Sequence, residues 1–154
     1  MINATPKMDT LDIDKKLADV SVFQGAFAYD ILPPKPDEDF SLVINTSDST
    51  LPGDHWLVLL RKDTKIYFID SYGRNYSDPT FDANFTKTIT NYIGGEKIFH
   101  NKKWLQRLTS NACGAYCIYF IRELNKQSFR SCLSVFSVDL MKNDKYVLKY
   151  LDNI

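Results

Sequence analysis

At 154 residues with 44% hydrophobic and 14% aromatic content, the chain carries enough apolar material for one core and reads as a single domain over 1–154. Its 19 Lys and Arg balance 19 Asp and Glu, so the overall charge calls for neither nucleic acid nor an anionic membrane surface as partner. No apolar run approaches the roughly 20 residues of a membrane helix, residues 1–20 lack the apolar block of a secretion signal, and three cysteines without such a signal point to free thiols in a reducing compartment.

Thr10 to Val20 reads as a short amphipathic scaffold helix, with Leu11, Leu17 and Val20 apolar and Asp12, Asp14, Lys15, Lys16 and Asp19 solvated. The stretch Phe23 to Pro34 is aromatic but interrupted by Gly25 and closed by two prolines, so it is expected as an ordered loop packed on the core. After a polar connector, Phe40 to Asn45 is a strand and Thr46 to Asp54 a turn-rich loop. His55 to Leu60 and Lys65 to Asp70 form a hairpin whose strands are nearly continuously apolar, which places them centrally in a sheet. If Asp63-Thr64 is a two-residue turn, Lys62 faces Lys65 and Leu57 faces Asp70; His55 then lies diagonal to Asp70 on the same face. A slip of one residue would separate them.

Farther along, Phe81 to Ile93 has helical spacing and ends at Gly94-Gly95, and Lys97 to His100 is a strand leading to Trp104 and Gln106. The polar loop Gln106 to Asn111 then runs into the apolar segment Ala112 to Leu124, a buried helix that Asn111 can cap. Cys113 falls in its first turn, where the helix dipole favours thiolate over thiol. Phe129 to Phe136 reads as a further helix, and Ser137 as the cap of a last one with Leu140, Val147, Leu148 and Leu151 on its apolar face.

A nucleophilic thiol needs a base, and the histidines, His55 and His100, both precede Cys113. That order excludes the papain sequence of cysteine before histidine. His55 is the better candidate, because Asp70 across the hairpin can accept the imidazole Nδ1–H, hold the tautomer and stabilise imidazolium beside thiolate. Asn-Ala-Cys-Gly-Ala lacks the glutamine that flanks a caspase nucleophile. No paired C-x-x-C ligands mark a zinc site, and no metal is expected.

Pro52-Gly53-Asp54-His55-Trp56-Leu57-Val58, Ile69-Asp70-Ser71-Tyr72-Gly73 and Gln106 followed after six residues by Cys113-Gly114-Ala115-Tyr116 resemble the adenain-like cysteine proteases, which include the adenovirus maturation protease and relatives in virophages and Maverick/Polinton elements, in the clan of the SUMO-deconjugating proteases. Phe23-Gln24-Gly25-Ala26-Phe27 with Asp30 and Leu32-Pro33 is similar to an upstream motif of the virophage and Polinton branch.

The resemblance implies an α+β fold in which a central, mostly antiparallel sheet with flanking helices forms a circularly reordered, adenain-type papain-like core. The nucleophile then starts a buried helix. It further implies Cys113 as nucleophile, His55 as general base, Asp70 as orienting acid and Gln106 as side-chain donor to the oxyanion, with a backbone N–H at or beside Cys113. Gly25, Asp30, Trp56 and Gly114 are the expected substrate contacts, and Gly25 to Asp30 and Leu51 to Asp54 the groove walls. The implied activity is a thiol endopeptidase that cleaves viral capsid precursors after small residues such as Gly, as a monomer without a cofactor, in the host cytoplasm and the virion. Whether an activating peptide or nucleic acid takes part is left open by the residues. Two alternatives stand beside it: an isopeptidase acting on SUMO- or ubiquitin-like modifiers, and an inactive capsid-associated interaction module.

Overall fold

A computed structural model describes residues 7–154. Five strands form one sheet in the order β1 (Phe23–Ala28), β2 (Phe40–Asn45), β3 (Trp56–Lys62), β4 (Lys65–Ile69), β5 (Ile98–His100). The three central strands pair antiparallel, whereas each outer strand joins its neighbour parallel, so the α+β sheet is mixed. The helices are α1 (Thr10–Leu17), α2 (Ala83–Ile93), α3 (Cys113–Leu124), α4 (Phe129–Leu133) and α5 (Leu140–Asp152).

The central strands explain their own apolar runs. Val43, Val58 and Leu60 pack on one face with α3 and the buried Ile13 and Leu17 of α1. Leu42, Ile44, Leu57, Leu59 and Phe68 pack on the other with Phe85, Ile89 and Ile93 of α2. A strand covered on both faces has no reason to alternate apolar with polar residues. The hairpin register is the expected one: Lys62 pairs with Lys65 and Val58 with Ile69, across a turn whose residues Asp63 and Thr64 have φ of 52° and 67°. Those left-handed values give the turn the twist of its flanking strands.

Several local expectations change. Phe23 to Ala28 is an edge strand rather than a loop: Gly25, at φ 130°, takes up a register shift against β2 that lets the ladder continue. In α1 the buried face is Ile13 and Leu17, with Leu11 turned to solvent, and Asp14 is not simply solvated, since it accepts the Ala26 N–H at 2.9 Å. Residue Ala112, not Asn111, occupies the cap position of α3 and supplies no side-chain cap bond. Asp139 rather than Ser137 caps α5, accepting from the Lys142 N–H. Among the described residues, no helix is long and apolar enough to cross a membrane.

Candidate active site

The hairpin brings two of the expected residues together at one end of the sheet. His55 immediately precedes β3 and Asp70 immediately follows β4, and His55 Nε2 lies 2.6 Å from Asp70 Oδ1. The ring nitrogen that meets Asp70 is therefore Nε2, not the expected Nδ1. Both side chains are nearly or wholly buried, at 6% and 0% exposure. Asp70 is held from several sides: Arg74 Nε donates to Oδ2 at 2.6 Å, the Tyr72 N–H to Oδ1 at 3.2 Å, and Asn101 Nδ2 to the Asp70 carbonyl at 2.7 Å.

Burial pushes the Asp70 carboxyl up, but the hydrogen bonds and charges of His55 and Arg74 outweigh it and keep it below its ordinary range. Burial likewise works against a charged His55, yet Asp70 and Cys113 lift its pKa to about 9. Cys113 opens α3 and is 4% exposed. Its thiol, raised by burial, is brought below its ordinary value by the hydrogen bond and charge of His55, with backbone N–H groups of Trp56 and Gly114 adding to the effect. The three groups thus favour a thiolate beside an imidazolium, the ionisation state a cysteine nucleophile requires. Cys117, one turn farther along α3, is pushed well up by burial and is inert by comparison.

Gln106 is wholly buried and reaches this end of the sheet through Ser71. The Ser71 carbonyl accepts from the Leu105 and Gln106 N–H groups at 2.8 and 3.1 Å, and the Ser71 hydroxyl donates to Gln106 Oε1 at 2.5 Å. That contact orients the amide so that Nε2 points away from Ser71. In the described structure Nε2 donates to the Ser110 carbonyl at 2.9 Å and, more weakly, to Ser110 Oγ at 3.2 Å.

Aromatic side chains close the other side. Tyr72 stacks on His55 with centroids 4.6 Å apart and planes 14° from parallel, and Trp104 leans on Tyr72 at 5.1 Å. Gly73 is required by this packing: its φ is 72°, and a β-carbon would stand 2.8 Å from the Lys103 carbonyl.

The remaining expected contacts divide. Trp56 is in the core, 5% exposed, and lines a cleft of about 400 Å³. Ala26 to Ala28, Leu51 and Gly53 line it too, so both expected wall segments contribute. Gly25 and Asp30 do not. Gly25 shapes the edge strand, and the Asp30 carboxylate accepts the N–H and hydroxyl of Ser49 at 2.8 and 2.6 Å, tying one wall to the other. Gly114 lies buried under Met8.

Sequence reasoning passed over Ser71, Tyr72, Arg74, Asn101 and Asn45. Asn45 Oδ1 accepts the N–H groups of Ser47 and Asp54 and so sets the loop that delivers His55. The one available signal was the turn Ser71-Tyr72-Gly73 directly after Asp70; the others come from loops whose approach no local pattern encodes. Among the described residues, no cluster of three or more His, Cys, Asp or Glu is placed to hold a metal.

No protein-family model and no curated protein matches the sequence. Among solved structures, the chain is similar to ChlaDub1 from Chlamydia trachomatis, with 15% identity and a TM-score of 0.51 over 75% of this chain and 58% of that one. It is also similar to ASFV pS273R protease, with 24% identity and a TM-score of 0.45 over 73% of this chain and 44% of that one. The chain therefore spans roughly half the length of these proteins, and the likeness to ChlaDub1 is one of papain-like fold.

Proposed function

We propose that the chain is a cysteine endopeptidase in which Cys113 attacks the scissile carbonyl, His55 carries the proton and Asp70 orients His55. The observation that carries this reading is the Cys113 thiol at the start of α3, drawn below its ordinary value by the imidazole of His55, whose Nε2 is held by buried Asp70. His55, raised, and Cys113, lowered, favour a resting pair in which His55 holds the proton. Thiolate adds to the carbonyl carbon, the carbonyl oxygen becomes the oxyanion, and imidazolium then gives its proton to the leaving amine, leaving a thioester. Water, deprotonated by the now neutral His55, hydrolyses the thioester and restores the pair.

The oxyanion needs donors placed where its charge develops. Gln106 Nε2 supplies one by giving up its weaker contact with Ser110 Oγ, and its Oε1 stays on Ser71. A backbone N–H at the α3 start supplies the second.

The finer reading is cleavage of viral structural precursors after small residues, by a monomer in the host cytoplasm and the virion. It is supported by the sequence resemblance around His55, Asp70, Gln106 and Cys113. The test is co-expression of the chain with candidate precursors and identification of new N-termini by mass spectrometry. Cleavage that persists in Cys113→Ala would sink the mechanism. A second reading, an isopeptidase for ubiquitin-like modifiers, is supported by the sequence resemblance to the clan of the SUMO-deconjugating proteases. Strong labelling of Cys113 by modifier-derived activity probes, with no cleavage of precursors, would replace the first reading by the second.

A further inference from the structure

Two polar side chains are buried on α5, Asn143 and Asp144, each 2% exposed. A carboxylate out of water is costly unless charges and hydrogen bonds compensate it. Asp144 is compensated on both oxygens: Oδ1 accepts the Tyr116 hydroxyl at 2.8 Å, and Oδ2 accepts Arg107 Nε at 3.1 Å. Asn143 Nδ2 donates to the Leu105 carbonyl at 3.1 Å, and the Tyr116 hydroxyl stands 3.1 Å from that same carbonyl.

These partners flank the two groups of the candidate site that the hairpin does not carry. Leu105 and Arg107 stand on either side of Gln106, and Tyr116 lies one turn past Cys113 on α3. The direct path from Gln106 to Cys113 is the loop 107–112. It turns Leu108 out to solvent at 71% exposure, and its Ala112 N–H meets Ser110 Oγ only at 3.4 Å. The path through α5 has shorter bonds and runs through buried side chains. Burial and the Asp144 carboxylate push the Tyr116 hydroxyl above the ordinary phenol range, so it stays a donor.

We propose that Asp144 is a positioning residue for oxyanion stabilisation: by holding Arg107 with one oxygen and Tyr116 with the other, it fixes the Gln106 amide relative to the first turn of α3. This rests on the endopeptidase reading with Gln106 as donor, and it adds the residue that sets the donor's place. In Asp144→Ala the Tyr116 proton can turn to the Leu105 carbonyl and Arg107 to solvent. Both links are then cut without stranding a buried donor.

The test sets two reactions of Cys113 side by side. Acylation by benzyloxycarbonyl-glycine p-nitrophenyl ester passes through an oxyanion, whereas alkylation by iodoacetamide displaces iodide and forms none. Cys113→Ala supplies the background for both, and the readout is the ratio of the two rates. Gln106→Ala is expected to lower that ratio about a hundredfold, and Asp144→Ala about tenfold. The pH midpoint of alkylation should not move in Asp144→Ala, because the pairing of Cys113 with His55 is untouched. The double variant should fall no farther than Gln106→Ala, since Asp144 acts through Gln106.

A folded Asp144→Ala with the wild-type ratio, or a double variant in which the two losses multiply, overturns the inference and leaves the endopeptidase reading in place. A shifted alkylation midpoint does the same, because it marks a general disturbance of the site. Should Asp144→Ala fail to fold, Arg107→Leu cuts the link at its partly exposed end and is held to the same outcomes. A wild-type ratio in Gln106→Ala overturns the inference together with the role of Gln106. Absence of Cys113-dependent ester turnover in the wild type overturns the endopeptidase reading as well.

Discussion

His55 meets Asp70 through Nε2, at 2.6 Å, and this leaves Nδ1 as the nitrogen for Cys113. The tautomer and the ring plane are thereby set from the buried side, with Tyr72 stacked against one face. Asp70→Asn would keep the shape but offer an amide where the imidazolium needs a charge. The expected result is a loss of about a hundredfold or more in kcat/KM on a cleavable peptide. Near-wild-type turnover by a folded Asp70→Asn protein would remove Asp70 from the mechanism.

The thiol and imidazole also set a pH dependence. Because Cys113 lies below its ordinary value and His55 near 9, the ion pair exists between the two. Iodoacetamide alkylation of Cys113 should therefore rise at a pH below that of an ordinary thiol. Peptide cleavage should fall as pH passes through about 9, where His55 loses the proton it delivers to the leaving amine. His55→Ala should move the alkylation midpoint upward; an unchanged midpoint would contradict the pairing.

Stability should follow the same groups. His55, raised from 6.5 to about 9, contributes fully below 6.5 and loses its contribution as pH rises through about 9. Asp70, lowered from 3.8, contributes above 3.8 and loses it as pH falls through its depressed native value. Thermal unfolding should then show its highest midpoints from roughly pH 4 to 6.5. A midpoint still climbing at pH 9 would show that other groups dominate.

Arg74 is the second support of Asp70 and also lies 4.1 Å from the Phe81 ring centroid. Arg74→Met would strip one partner from a buried carboxylate, at a cost of about 3 kcal/mol. Urea unfolding measures it directly, and a change within error of zero would mean that Asn101, Tyr72 and His55 suffice.

Gln106→Ala separates positioning from binding. Its amide is expected to act on the oxyanion, so kcat should drop about a hundredfold with KM little changed. A rise in KM alone would instead assign Gln106 to substrate binding.

The elements and much of the hairpin chemistry were legible in the sequence because they depend on neighbours along the chain. The apolar runs of β2 and β3, the Asp63-Thr64 turn and the stop at Gly94-Gly95 each carry a local signature, and the two-residue turn alone dictates that His55 and Asp70 share a sheet end. The edge strand at Phe23 was missed because its fitness depends on a partner, β2, and on a bulge at Gly25 that breaks the alternating pattern. Which imidazole nitrogen meets Asp70, how Ser71 turns the Gln106 amide, and that Met8 roofs Gly114 were all decided in three dimensions. Each of these contacts joins segments far apart in sequence, and each depends on the packing of buried side chains, for which the chain carries no periodic signal.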